Sequence, residues 1–120
     1  MLKQAIRVFA IAGVVASILL AGCHHLPPSK PLSQLTPTEL RGYTVFHQQC
    51  AQCHNANNQK PLHGPGLQGI FKKPYLPSGA PANDDRVRAT ILEGRNMMPP
   101  FGDVLNDRQM NDLLAYLHTL

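Results

Sequence analysis

Cys50-Ala51-Gln52-Cys53-His54 constrains this chain more than any other stretch. Two thiols three positions apart on one helical turn can each form a thioether to one of the two vinyl groups of a haem. The histidine beside the second thiol then points its imidazole at the iron. This C-x-x-C-H spacing reads as c-type haem attachment, and a chain that carries it must fold around a large apolar ligand. The competing readings lack their other parts. A structural zinc site needs four Cys/His ligands, usually as two separated pairs, yet Cys23 is the only other cysteine and lies far upstream. A thioredoxin-like redox pair needs a βαβ context, and no strand-rich alternation surrounds this one.

Cys23 belongs to a different signal. Lys3 and Arg7 precede an uncharged run from Val8 to Leu20. That is the order of a positive n-region and an h-region too short to span a bilayer comfortably. Leu20-Ala21-Gly22-Cys23 follows, and it resembles the cleavage box of bacterial lipoproteins. Residues 1–22 are therefore expected to be a lipoprotein signal peptide and Cys23 the lipidated first residue. An ordinary cleaved signal and an uncleaved anchor are the alternatives. Acyl chains add about 0.8 kcal/mol per buried methylene, so several on one residue would anchor the protein stably.

Cleavage before Cys23 would remove 22 of the 120 residues and leave 98, which is one domain at most. Lys3 and Arg7 would leave with the signal, and the net charge would fall from +4 to +2. No basic cluster suggests a nucleic-acid partner. A core of this size is marginal alone, so a covalently held apolar ligand at its centre would matter to folding.

Residues 23–35 hold Pro27, Pro28 and Pro31 among polar neighbours and read as a semi-extended tether. At about 3.1 Å per residue, a dozen such residues reach roughly 35–40 Å. His24 and His25 read as solvated linker residues. Residues 36–120 then form the folded domain. Thr36, Pro37 and Glu39 mark a helix start with a capping box, and Leu35 and Leu40 stand at the staple positions. This helix is expected to run to about Cys50 or His54. Gly42 inside it costs about 1 kcal/mol against alanine, which is tolerable if another helix crosses there. A second helix is capped by Asn83, favoured at its start by Asp84 and Asp85, and ended by Gly94. A third is capped by Asn106 with Gln109, stapled by Leu105 and Met110, and striped by Met110, Leu113, Leu114 and Leu117. It is expected to cross the first, with Tyr116 or Leu117 near Gly42 and Phe46. Asn55 to Ala82 is rich in Gly and Pro and reads mostly as loop.

Four pieces now stand in order: Gly42-x-x-x-Phe46-x-x-x-Cys50-x-x-Cys53-His54, Gly64-Pro65-x-Leu67-x-Gly69-Ile70-Phe71, Gly94-x-x-x-Met98-Pro99-x-Phe101, and Tyr116-Leu117. In this combination the chain resembles a bacterial class I, monohaem c-type cytochrome from about Thr36 to Leu120. The resemblance implies an all-α fold, three main helices and loops around one covalent haem c, with the terminal helices crossing. It implies Cys50 and Cys53 as attachment points, His54 as proximal iron ligand and Met98, before Pro99, as distal ligand, with Met97 as the alternative. The Pro65 carbonyl is expected to accept a hydrogen bond from His54 and orient its ring. Leu67, Ile70, Phe71, Leu76, Val87, Ile91, Phe101 and Leu114 are the expected apolar haem wall. Tyr75, Lys72, Lys73 and Arg95 could reach the propionates. His47, His63 and His118 are rival distal ligands that read better as surface histidines.

His/Met ligation raises a haem potential and fills both axial positions. The resemblance thus implies one-electron transfer between redox protein partners, not catalysis by this chain itself. It also implies the periplasmic side of a bacterial membrane, where covalent attachment is carried out. His24 is not the aspartate associated with inner-membrane retention in some bacteria, which favours the outer membrane. A fixed subunit of a larger oxidase or dehydrogenase, and a haem-based gas sensor, are the alternatives.

Overall fold

A computed structural model describes residues 26–120. The expected signal peptide, Cys23, His24 and His25 lie outside the described residues. Within them the protein is all-α, with three helices joined by long loops. α1 is Pro37–Gln49, α2 is Asp84–Glu93 and α3 is Asp107–Leu117. Two 3-10 turns, Leu32–Gln34 and Ile70–Lys72, punctuate the connections.

Each helix begins where its capping chemistry predicts. The Thr36 hydroxyl accepts from the Glu39 amide, and the Glu39 carboxylate accepts from the Thr36 amide at 2.7 Å. Asn106 and Gln109 repeat the reciprocal pair on α3. Asn83 caps α2 through the Arg86 amide. Such caps satisfy amides that would otherwise lack partners in the first helical turn. Lys30 bonds the same Glu39 carboxylate at 2.7 Å, and this partner, followed by the Thr36 amide, lowers the Glu39 pKa. The staples differ in quality. Leu105 and Met110 are both buried, whereas Leu40 stays 49% exposed and leaves Leu35 to pack alone.

α1 and α3 cross at Gly42. A Cβ there would collide with the Asp112 carbonyl and crowd the Tyr116 Cβ at 2.8 Å. Close approach lets Tyr116 meet Phe46 and Tyr43, with ring centroids 5.5 Å and 5.6 Å away. Leu113, Leu114, Leu117 and Leu120 close this core from α3 and its end, and Val87 and Ile91 reach it from α2. The crossing also carries a charge pair that the sequence reading missed. Arg41 grips the buried Asp112 carboxylate through Nε at 2.8 Å and a terminal guanidinium nitrogen at 2.9 Å.

α1 stops at Gln49 with Cys50 as its C-cap, at the nearer of the two expected ends, and Cys50 to Cys53 continue as hydrogen-bonded turns. One expectation needs correction. The described part of the proline-rich segment, residues 26–35, does not stand away from the domain as a tether. It lies along the body, where the Lys30 amide donates to the Thr119 carbonyl at 2.8 Å.

Candidate haem centre

The C-x-x-C-H run leaves α1 through overlapping turns. The Cys50 and Ala51 amides both donate to the Phe46 carbonyl, and the Cys53 and His54 amides both donate to that of Cys50. These bonds fold both half-buried, free thiols and the imidazole into one compact unit. Burial first, and Cys53 second, push the Cys50 thiol up to about 11.

His54 is held by backbone from the next loop. Its Nδ1 lies 2.8 Å from the Pro65 carbonyl oxygen. A carbonyl can only accept, so Nδ1 donates here, and in the neutral ring Nε2 is the nitrogen that carries the lone pair. Gly64 lies against the ring, and a Cβ there would strike the imidazole. The loop is pinned in turn, because the Gly64 amide donates to the Cys53 carbonyl at 2.8 Å and the Leu67 amide to that of Asn55 at 2.8 Å. The ring thus presents one free nitrogen in a fixed direction, as a metal-binding imidazole requires.

The two methionines sit in a tight turn after α2. Arg95 and Met98 exchange backbone hydrogen bonds of 3.0 Å and 2.9 Å. Asn96, with φ 53°, takes the left-handed turn position that asparagine tolerates. Gly94, with φ 73°, admits the returning chain, since a Cβ there would crowd Met98, Pro99 and Pro100 backbone atoms. The result separates the neighbours: Met97 is 84% exposed, while Met98 is half-buried against the core cluster. The Phe101 and Gly102 amides donate back to the Ile91 and Leu92 carbonyls and tie the loop to α2.

Leu67, Ile70, Phe71, Leu76 and Phe101 are half-buried around that cluster, whereas Val87, Ile91 and Leu114 lie inside it. Tyr75 and Lys73 line one groove with Leu67, Ile70 and Leu76. Tyr75 itself is 62% exposed. The other two charged candidates lie apart from this groove. Lys72 Nζ donates to the Leu120 backbone oxygen at 2.7 Å, and Arg95 lies exposed in the methionine turn. His47 and His63 are exposed. His118 is engaged elsewhere: it stacks on Phe71 at 3.9 Å, and its Nε2 lies 2.7 Å from an Asp84 carboxylate oxygen. Phe71 therefore serves a contact between α3 and the Ile70–Lys72 turn that the sequence reading did not foresee. An aromatic and a histidine 47 positions apart carry no local signal of pairing.

Among the described residues, no three His, Cys, Asp or Glu side chains converge as a metal cage. The residues present suit haem c instead: two thiols three positions apart and one imidazole oriented by the Pro65 carbonyl, with half-buried Met98 packed against the core cluster. The family model described as "Cytochrome C oxidase, cbb3-type, subunit III" matches residues 37–117. This chain belongs to the cytochrome c family.

The cytochrome c relatives are of two kinds. Cytochrome c-555 of Methylococcus capsulatus is 30% identical, over 82% of this chain and 69% of its own length. Cytochrome c6 of Thermosynechococcus vestitus is 31% identical, over 72% of this chain and 78% of its own. The cbb3-type cytochrome c oxidase subunit FixP of Sinorhizobium medicae is 29% identical over 92% of this chain, which spans only 39% of that protein. Among solved structures, cytochrome c6 of the diatom Phaeodactylum tricornutum matches with a TM-score of 0.48 and 26% identity, covering 66% of this chain and 88% of that one. As a cytochrome c, this protein binds haem c covalently, with Cys50 and Cys53 in the attachment motif, and its role is electron transfer.

Proposed function

We propose that this cytochrome is a membrane-anchored, periplasmic one-electron carrier with His54 and Met98 as its axial iron ligands. The observation that carries the reading is the hydrogen bond from His54 Nδ1 to the Pro65 carbonyl, which leaves Nε2 free and aimed. Haem c supplies a single iron that alternates between the ferric and ferrous states. Cys50 and Cys53 hold the group through two thioethers. His54 Nε2 and the Met98 thioether would ligate the iron, leaving no position for a substrate. Pro99 and Pro100 fix φ and remove two backbone donors, which stiffens the segment that presents the thioether. Leu67, Ile70, Leu76 and Phe101 would exclude water from the iron's surroundings, and Tyr75 and Lys73, which line one groove with Leu67, Ile70 and Leu76, would meet the propionates. Lipidated Cys23 would confine the protein to a membrane surface, with the outer membrane favoured by His24.

A second reading makes this chain a fixed subunit of a larger complex. The family description and the name of the Sinorhizobium medicae relative favour it. Gentle extraction from the membrane separates the two: a stoichiometric oxidase or reductase that survives purification supports the subunit, and a monomeric cytochrome supports the carrier. Carbon monoxide binding by the reduced native protein would overturn His/Met ligation and point to gas sensing.

A further inference from the structure

The proline-rich segment is seated on the domain at both ends. At its start, Leu26 rests on buried Gly69. Gly69 has φ 67°, and a Cβ there would sit 3.0 Å from both Leu26 δ carbons. The Pro27 carbonyl accepts from Gln68 Nε2 at 3.4 Å. Further along, the Lys30 amide holds the Thr119 carbonyl, and Lys30 Nζ holds Glu39 at 2.7 Å. Pro28 and Leu32 of the segment line one groove with Asn57, Gln68 and Tyr116 of the domain. The Leu32–Gln34 turn then delivers the chain to the Thr36 cap.

We infer that residues 26–35 are a fixed strap that holds the Gln68–Gly69 side of the domain against the lipid headgroups. This rests on the reading of Cys23 as the lipidated residue. Only three residue steps separate Cys23 from the seated Leu26, and fully extended they span at most about 11 Å. A free tether from Cys23 to Thr36 would instead allow roughly 35–40 Å. The anchor is therefore held close to one side of the domain, and that side faces the bilayer. Redox partners then meet the remaining sides, and reorientation requires the strap to lift.

The test uses the lipidated, reduced holoprotein in nanodiscs of phosphatidylcholine and phosphatidylglycerol doped with a gadolinium-chelate lipid. Amide relaxation enhancement is expected to be several-fold greater at Ser29, Leu32, Gln68 and Gly69 than at Gly102, Asp103 and Val104. Inserting about twelve Gly/Ser residues between His25 and Leu26 gives a long flexible leash and should bring that ratio toward one, while the spectrum of the detergent-released protein stays unchanged. Uniform enhancement in the parent protein, or a ratio indifferent to the insertion, overturns the strap's role. Mass spectrometry of the mature N-terminal peptide separates the two failures. An unacylated Cys23 overturns the anchor and this inference together, whereas an acylated Cys23 with uniform enhancement overturns the inference alone.

Discussion

Met97 and Met98 are chain neighbours in opposite environments, one in solvent and one against the core. Met98→Ala is expected to abolish the methionine-to-iron charge-transfer band of the oxidised protein. It should also lower the potential by tenths of a volt, within the roughly 0.8 V that axial ligation spans. Met97→Ala should leave both unchanged, and optical redox titration of the two variants checks the assignment. Two residues at the helix crossing govern the response to pH. The Arg41 guanidinium holds the Asp112 carboxyl below its ordinary pKa. A depressed folded pKa stabilises above the unfolded value of about 3.9, and that stability is lost as pH falls through the folded one. Asp112→Asn should therefore be less stable at neutral pH and flatter in its acid limb, read by denaturant melts between pH 7 and 3. Burial, and then Tyr43, push the Tyr116 phenol up to about 12. Above about pH 10 the unfolded chain releases this proton first, so stability falls as pH rises. Tyr116→Phe should flatten that alkaline limb relative to the parent.

At the scale of elements, the α1–α3 crossing carries the fold. Gly42→Ala pushes a methyl into the Asp112 carbonyl, a main-chain atom that cannot rotate away. A cost of about 1–3 kcal/mol is expected for such overpacking. Leu113→Ala, at a site with no exposure, should cost about 2–5 kcal/mol. Thermal melts of the holoprotein read both. The crossing was legible in the sequence because a helix-interior glycine is disfavoured unless something lies against it. The helix starts were legible because Thr36, Asn83 and Asn106 bond amides only three residues on. Other features lacked a local signal. Arg41 and Asp112 stand 71 positions apart, and an aspartate in mid-helix reads as solvated until another helix covers it. The seat of the proline-rich segment was hidden for the same reason: its composition is that of a linker, and only the distant Gly69 gives it a place to rest. At the haem centre, the Pro65 contact followed from the family pattern, and the His118 stack on Phe71 did not.

Among the described residues the densest packing lies between the first and last helices, and the loops carry the proposed iron ligands. Leu67, Ile70, Leu76, Met98 and Phe101 are half-buried against the core cluster, and the haem is expected to complete their burial. Replacing both Cys50 and Cys53 with alanine should therefore yield a chain that accumulates without haem and lacks fixed tertiary structure. Near-ultraviolet circular dichroism and amide exchange would show it, and retention of a native-like fold would count against the haem as organiser of these loops. The hold on His54 has a consequence for how such a chain tolerates change. The group that fixes the imidazole is a peptide oxygen, which every residue type possesses, so no side-chain replacement at position 65 can delete it. The flanking loop is free to drift in sequence while the ring stays aligned, provided that the path of the main chain is kept and position 64 remains without a side chain.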